Sequence, residues 1–360
     1  MSYDKAKDYI YTNANRMFVL AGVPLVLTIG AIGNAGFLFV LYRVKPMRNI
    51  TNFYLANLSI ADSCLLVMSS FQYFWTYAHS PLDVNFVFAT SFGCAVPNFL
   101  VYWCYFASVW LVTLVATERY MAICHPFQHH IVTGKSRSVR LVVIAWGVAF
   151  IMTCFAAPYG NPEVLCIDWP IDESSSTATI RVPVCRSTCA WCDKALYAID
   201  PAQFIIAFLI NTCMYGKIVW ILSRRTLPNQ NGSSPSTQAS IRLHAENRNQ
   251  VARMLVVNTI VFFVCLFPYC VTNLNSLLNE IYHQGFLTIE EKLVLSWISK
   301  LTTLLNSAAN PYLYSLTNKR YRESILQALS RKEDLKSNYN YRRGSSFVYT
   351  KGSTVGETKV

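Results

Sequence analysis

From Met17 to Tyr42 the chain runs 26 residues without a Lys, Arg, Asp or Glu. At about 1.5 Å rise per residue such a stretch crosses a hydrocarbon core of about 30 Å. Further charge-free stretches of spanning length lie at Val84–Thr117, Leu141–Pro162 and Met254–Asn279. Asn52–Trp75 and Leu293–Leu316 are each interrupted by one ionisable residue, Asp62 and Lys300, and a seventh stretch, about Ala195–Leu222, carries Asp200 near one end and Lys217 near the other. Backbone inside lipid must satisfy its own hydrogen bonds, and no alternating barrel pattern is present, so the expected fold is an all-α membrane protein, a seven-transmembrane helix bundle. Only 14% of residues are charged and 53% are hydrophobic, against roughly 25% and 45–50% in an average soluble domain, which argues against a soluble enzyme.

Basic residues beside the spans orient the bundle. With the amino terminus outside, the inner segments hold 23 Lys and Arg and the outer segments seven, while acids run the other way, six inside and 12 outside. The net charge of +12 thus divides into +17 inside and −5 outside. Attraction to anionic inner-leaflet membrane lipid accounts for that asymmetry, and no nucleic acid is needed to explain the basic pI. The expected organisation is a short extracellular segment over 1–16, a membrane domain over 17–330 and a disordered cytoplasmic tail over 331–360. Met1–Arg16 is polar rather than a cleavable signal, so the first span is expected to act as its own insertion signal. Sequons at Asn49, Asn57 and Asn231 fall inside or in the membrane, so no N-glycan is expected.

The inner segment Thr226–Ile241 is rich in Pro, Gly, Ser, Thr, Asn and Gln and reads as a flexible connection. Asn318–Leu329 places Tyr321, Ile325, Ala328 and Leu329 on one face and Lys319, Arg320 and Arg322 elsewhere, the pattern of an amphipathic eighth helix on the inner membrane surface. No cysteine follows it to carry a palmitoyl anchor. Of the 12 cysteines, five lie outside: Cys94, Cys166, Cys185, Cys189 and Cys192. Cys185-x3-Cys189-x2-Cys192 has a zinc-like spacing, but an oxidising exterior and a loop without histidine favour disulfides, whose connectivity within the loop stays open. The chain closes on Thr358-Lys359-Val360, the pattern of a strand-adding PDZ-domain ligand.

Inner-end motifs recur at consistent depths. Glu118-Arg119-Tyr120 ends the third span, Trp146 lies in the fourth, Phe262-x-x-Cys265-x-x-Pro268 in the sixth, and Asn310-Pro311-x-x-Tyr314 closes the seventh. Together with Asn34, Leu58-x-x-x-Asp62 and a Cys94 placed 25 residues before Arg119, they make the chain resemble a rhodopsin-like (class A) G-protein-coupled receptor over about residues 17–330.

That resemblance implies a multi-pass plasma-membrane receptor for heterotrimeric G proteins. Arg119, held in reserve by Glu118, would meet the G-protein α subunit, with Tyr215 and Tyr314 moving to support it and Phe127 entering a groove in the G protein. Pro268 and Pro311 each remove a helical hydrogen bond, which eases bending of the sixth and seventh helices. The family often adds a second lock from an acid near the inner end of the sixth helix, but Arg248 stands 20 residues before Pro268, so appreciable basal signalling is expected. Leu266 replaces the usual tryptophan of the sixth helix, and Ala207, eight residues before Tyr215, replaces the proline of the fifth, although Pro201 lies nearer the outside. Asp62 with Ser108, Asn306, Ser307 and Asn310 matches the family's sodium cluster, an oxygen-rich set suited to a hard cation; the alternative is a protonated acid in a wet polar network. No other cofactor is expected. Cys94 is expected to pair with Cys185, and Ser345, Ser346, Thr350, Ser353 and Thr354 are candidate phosphate acceptors for arrestin to read.

Ligand class follows by exclusion. Val101, 18 residues before Arg119, stands where amine receptors carry aspartate, and Leu304, six before Asn310, where opsins carry lysine. The remaining pocket is expected to combine Val101 with Gln72, Tyr73, Asn98, Tyr102, Tyr105, Gln203, Tyr269, Asn273 and Lys300, a set suited to a small neuropeptide. Val164–Trp169 and Thr179–Cys185 alternate about a polar run and predict a hairpin lid. The acidic exterior favours a basic ligand such as a short amidated peptide with arginine, and among subfamilies the chain most resembles neuropeptide receptors of the FMRFamide or thyrotropin-releasing-hormone kind. Lys300 is open to a ligand carboxylate, to an acid such as Glu280 or Glu291, or to snorkelling. A lipid or other non-peptide ligand is the alternative within the family. A transporter is the rival outside it, disfavoured by the lack of matching broken helices in two halves. No Walker, HExxH or nucleophile-elbow pattern supports an enzyme.

Overall fold

The computed structural model describes residues 7–83, 90–132, 134–156, 159–170, 177–187, 189, 191–224 and 235–330. The start of the third charge-free stretch at Val84, most of the Thr226–Ile241 connection and the whole tail from Arg331, with its PDZ-like end and phosphate acceptors, lie outside the described residues. So does the side chain of Arg248.

Eight helices carry the architecture: α1 (Asn13–Arg43, through a π-helical turn at Phe18–Gly22), α2 (Ile50–His79), α3 (Ser91–Cys124), α4 (Lys135–Ala156), α5 (Cys192–Arg224), α6 (Pro235–Tyr282), α7 (Ile289–Thr317) and α8 (Lys319–Leu329). Six described helices are long and apolar enough to cross a membrane. The seventh, α7, carries Glu290, Glu291 and Lys292 at its outer end and is recognised by its packing on α1, α2 and α6. The helices pack in a closed ring, with α3 at the centre against α2, α4 and α5.

Local chemistry sets the helix ends. Asn49 caps α2 by accepting from the Asn52 N–H at 3.0 Å, Thr90 caps α3 through Gly93, and Thr288 and Glu291 form a capping box on α7. The first helix begins at Asn13, inside the segment read as an extracellular tail, because Thr12 caps it through the Asn15 N–H. The fourth charge-free stretch divides: α4 ends at Ala156, and Tyr159–Pro162 already belongs to a strand. Lack of charge marks what lipid tolerates and does not mark where a helix stops.

Exposed Leu20, Leu25, Ile29 and Ile32 on α1, Val143, Ile144 and Ile151 on α4, and Ile206 and Leu209 on α5 form the face expected to meet acyl chains. Small residues let the helices approach. A Cβ added to Gly30 would lie 2.5 Å from Leu66 Cδ1 and 3.0 Å from Ala308 Cβ, so glycine is what brings α1 against α2 and α7. Asn34 secures that contact, donating to the Gly30 and Ser307 carbonyls at 3.0 Å each.

At the end of the bundle expected to face outward, β1 (Tyr159–Pro170) pairs antiparallel with β2 (Thr177–Ser187), a hairpin longer than predicted. Cys94–Cys185 ties it to α3, and a second disulfide joins Cys189 to Cys192, the outer end of α5. Inside, α8 buries Tyr321, Ser324 and Ala328, while Leu329 is 70% exposed, facing away from the bundle instead of sharing the buried face with Tyr321. Burial pushes the Tyr321 hydroxyl up to about 12.

Candidate functional site

Two polar regions occupy opposite ends of the bundle. At the outer end the expected pocket residues divide into three groups. Gln72 of α2 donates to Asn98 of α3 at 3.2 Å. Tyr105 of α3 meets Tyr269 of α6 edge-on, their centroids 5.4 Å apart, and Gln203 of α5 donates to the Phe106 carbonyl at 3.1 Å. Tyr102 lies tilted against Phe106, their centroids 6.3 Å apart, and Val101 packs against the central core.

Lys300 forms the third group. It pairs with Asp83, not with Glu280 or Glu291, and its ammonium lies 4.0 Å from the Trp297 ring and 5.7 Å from Tyr73. Glu291 is occupied by its own helix cap. The segment before α1 joins this cluster: Tyr11 is buried edge-on against Tyr77 and Trp297, and its hydroxyl is raised by burial, with Asp83 adding to the effect. The Asp83 N–H donates to the Tyr9 carbonyl, so the amino-terminal segment is strapped to the loop after α2.

Asp200 was counted with the outer acids. It is 1% exposed, deep among α3, α5 and α6, and its Oδ2 accepts from Asn273 Nδ2 at 2.9 Å. A signal for it was present: Asp200, Gln203, Phe204, Ala207, Asn211 and Tyr215 recur at helical spacing and form the buried face of α5.

Midway through the bundle, Asp62 is fully buried. Its Oδ1 accepts from Ser108 at 3.1 Å and its Oδ2 from Asn310 at 2.6 Å. Asn306 is buried on α7 beside Ser307, whose hydroxyl lies against the Asp62 carboxylate, and Asn34 Oδ1 is buried without a hydrogen-bond partner among the described residues. Oxygen donors of this kind fit a hard cation.

At the inner end, a cavity of about 1110 Å³ is lined by Thr51, Glu118, Arg119, His129, Lys135 and Arg320, among others. Glu118 does not hold Arg119. Its Oε1 pairs with His129 at 2.7 Å, and Arg119 donates to the Thr51 hydroxyl. Successive helical residues point in different directions, so Glu118 faces the short inner helix Pro126–Val132 while Arg119 faces α2. Thr51 and His129 carried no motif that marked them in advance.

Tyr120 meets His125, with a ring nitrogen 3.2 Å from its hydroxyl, and Phe127 stands 79% exposed on the short helix. Phe262 is buried against Phe263, and Tyr314 packs on Phe37 at 5.5 Å and Tyr321 at 6.3 Å. Pro268 and Pro311 sit inside α6 and α7. Arg119 Nε and the hydroxyls of Tyr215 and Tyr314 are buried with no hydrogen bond within 3.5 Å among the described residues, the Tyr215 hydroxyl lying near Thr259.

The family model for "7 transmembrane receptor (rhodopsin family)" matches residues 33–314. The thyrotropin-releasing hormone receptor of Gallus gallus is 25% identical over 322 residues, covering 84% of this chain and 76% of its own length. The growth hormone secretagogue receptor type 1 of Sus scrofa is 24% identical, covering 86% and 81%, and the neuromedin-U receptor 2 of Mus musculus is 24% identical, covering 85% and 73%.

Proposed function

The chain belongs to the rhodopsin family of seven-transmembrane receptors, and we propose that it binds a small neuropeptide at its outer end and activates heterotrimeric G proteins at its inner end. The observation that carries this reading is Arg119: a guanidinium half-buried at the inner mouth, bonded to Thr51 and with Nε unpartnered. Relatives named for thyrotropin-releasing hormone, a growth hormone secretagogue and neuromedin-U support a peptide ligand, as does a cluster of tyrosines and amides at the end that carries the disulfide-tied hairpin.

The geometry suggests how the two ends communicate. A buried polar group without a partner costs about 1–3 kcal/mol, and Arg119 Nε and the two tyrosine hydroxyls are three such groups near one level. An outward movement of the inner half of α6, eased by Pro268, would let them find partners in one another, in water or in the G protein. A ligand drives that shift only as far as it binds the open arrangement more tightly than the closed one. The amino terminus is then extracellular, Phe127 presents its ring to the G protein, and the tail serves arrestin and a PDZ-domain protein.

Expressed in cells, the receptor is expected to accelerate G-protein nucleotide exchange with one or more members of a library of short amidated peptides. Activation by lipids alone would assign the non-peptide alternative, and uptake of a solute without nucleotide exchange would assign a transporter.

Sodium at Asp62, with Ser108, Asn306 and Asn310, is part of the same reading; the ion would supply charge neutralisation to a buried carboxylate. Purified receptor is expected to melt at a higher temperature in NaCl than in KCl of equal ionic strength, and Asp62→Asn is expected to remove the difference. Equal melting of the wild type in both salts would overturn the sodium assignment.

A further inference from the structure

Asp200 lies where a carboxylate is expensive. It is 1% exposed, it makes no ion pair with any described Lys, Arg or His, and its Oδ1 has no hydrogen bond within 3.5 Å among the described residues, although the Tyr105 hydroxyl lies against the carboxylate. The Asn273 amide on Oδ2 supplies a hydrogen bond but no charge. A buried carboxylate in that condition needs a cation or a proton.

Its surroundings favour a cation. Tyr105 and Tyr269 both lie within electrostatic reach of the carboxylate, Tyr102 lies within reach of both rings, and Tyr197 extends the aromatic wall outward to Glu280. The Tyr105 hydroxyl lies against the carboxylate and Tyr105 meets Tyr269 edge-on at 5.4 Å, so an ammonium or guanidinium arriving there would meet the acid and the aromatic rings beside it together. The protein's own candidate, Lys300, is neutralised elsewhere by Asp83 and sits over Trp297. Val101 leaves α3 without an acid in the outer pocket, so the negative charge between α3 and α6 comes from α5.

We infer that Asp200 is the anchor for a cationic group of the ligand, an arginine guanidinium or a lysine ammonium, held between α3, α5 and α6 by the carboxylate and the rings of Tyr102, Tyr105 and Tyr269. The inference rests on the peptide-receptor reading and narrows it: the ligand enters with its basic group toward α5. The outer net charge of −5, to which Asp200 itself contributes one, draws such a ligand in, and Asp200 fixes where its charge comes to rest.

The test uses full-length receptor and two synthetic mixtures of N-acetylated, C-amidated tetrapeptides. One mixture contains arginine and lysine; the other replaces them with citrulline and acetyl-lysine, close in shape and neutral. Nucleotide exchange is measured on cells matched for surface receptor. The wild type is expected to respond to the basic mixture at concentrations lower by about tenfold or more. Asp200→Asn, which keeps an oxygen to accept from Asn273, is expected to bring the two mixtures to equal potency, and Asp200→Glu to restore part of the preference. Equal potency on the wild type, or an undiminished preference in Asp200→Asn, overturns the anchor and leaves the peptide reading standing. Silence toward both mixtures overturns both.

Discussion

Replacing Arg119 with alanine is expected to bring receptor-driven nucleotide exchange down to that of receptor-free membranes while leaving the amount of receptor at the surface within about twofold. The loss is large because the side chain has a single hydrogen bond, to Thr51, and a buried Nε with none, so its removal takes little from the resting fold. A lost neutral-acceptor bond to a charged donor is worth about 1.5–3 kcal/mol, and relief of the unpartnered Nε offsets part of it. What the active arrangement loses is a half-buried, permanently charged fork at the inner cavity. Exchange that persists at wild-type level in Arg119→Ala, measured at matched surface amounts, would remove the central support for the proposed coupling. Thr51→Val separates the two roles: it deletes the resting bond and keeps the guanidinium, so basal exchange is expected to rise.

The Cys94→Ser, Cys185→Ser double variant is expected to lose most of its surface receptor. The disulfide closes a loop with a sequence separation of 91 residues, and in the chain-entropy account that closure is worth about 4.6 kcal/mol of stability. It also seats the hairpin, whose Ile167, Val182 and Val184 form a small buried cluster with Leu82. Purified variant should melt well below the wild type, read by thermal denaturation in detergent. A Cys189→Ser, Cys192→Ser variant offers the contrast, since a separation of three residues constrains the unfolded chain far less. Equal losses in the two variants would show that loop length is not what matters.

Much of this molecule was legible before any coordinates. Charge-free stretches located the helices because lipid excludes unpaired charge and unpaired backbone alike, and the alternation of Val164–Trp169 and Thr179–Cys185 located the hairpin. Helix termini were less legible. Cap chemistry at Thr12 and Asn49 overrides hydropathy by several residues, and hydropathy cannot tell the end of α4 from the strand that follows it. Single-residue assignments failed where side chains chose partners from elsewhere in the chain. Lys300 pairs with Asp83, 217 residues away, and nothing local distinguishes that acid from Glu291 until the bundle closes.

The sequence by itself determined the class of fold, the number of spans, the motif residues Glu118, Arg119, Asn310 and Tyr314, and the pairing of Cys94 with Cys185 once the family likeness was admitted. The fold class and the spans follow from one-dimensional constraints, the length needed to cross a bilayer and the exclusion of charge from it, whereas the motif residues and the disulfide pairing came through the family likeness. Tertiary structure alone decided which buried charges are satisfied. Glu118 turned to His129 because adjacent helical residues diverge by about 100°. Asp200, on the inward face of a helix whose net hydropathy hid it, met Asn273 and the tyrosines of α3 and α6 only through packing. Electrostatic satisfaction depends on distances between residues far apart in the chain, and closure of the ring of helices is what sets those distances.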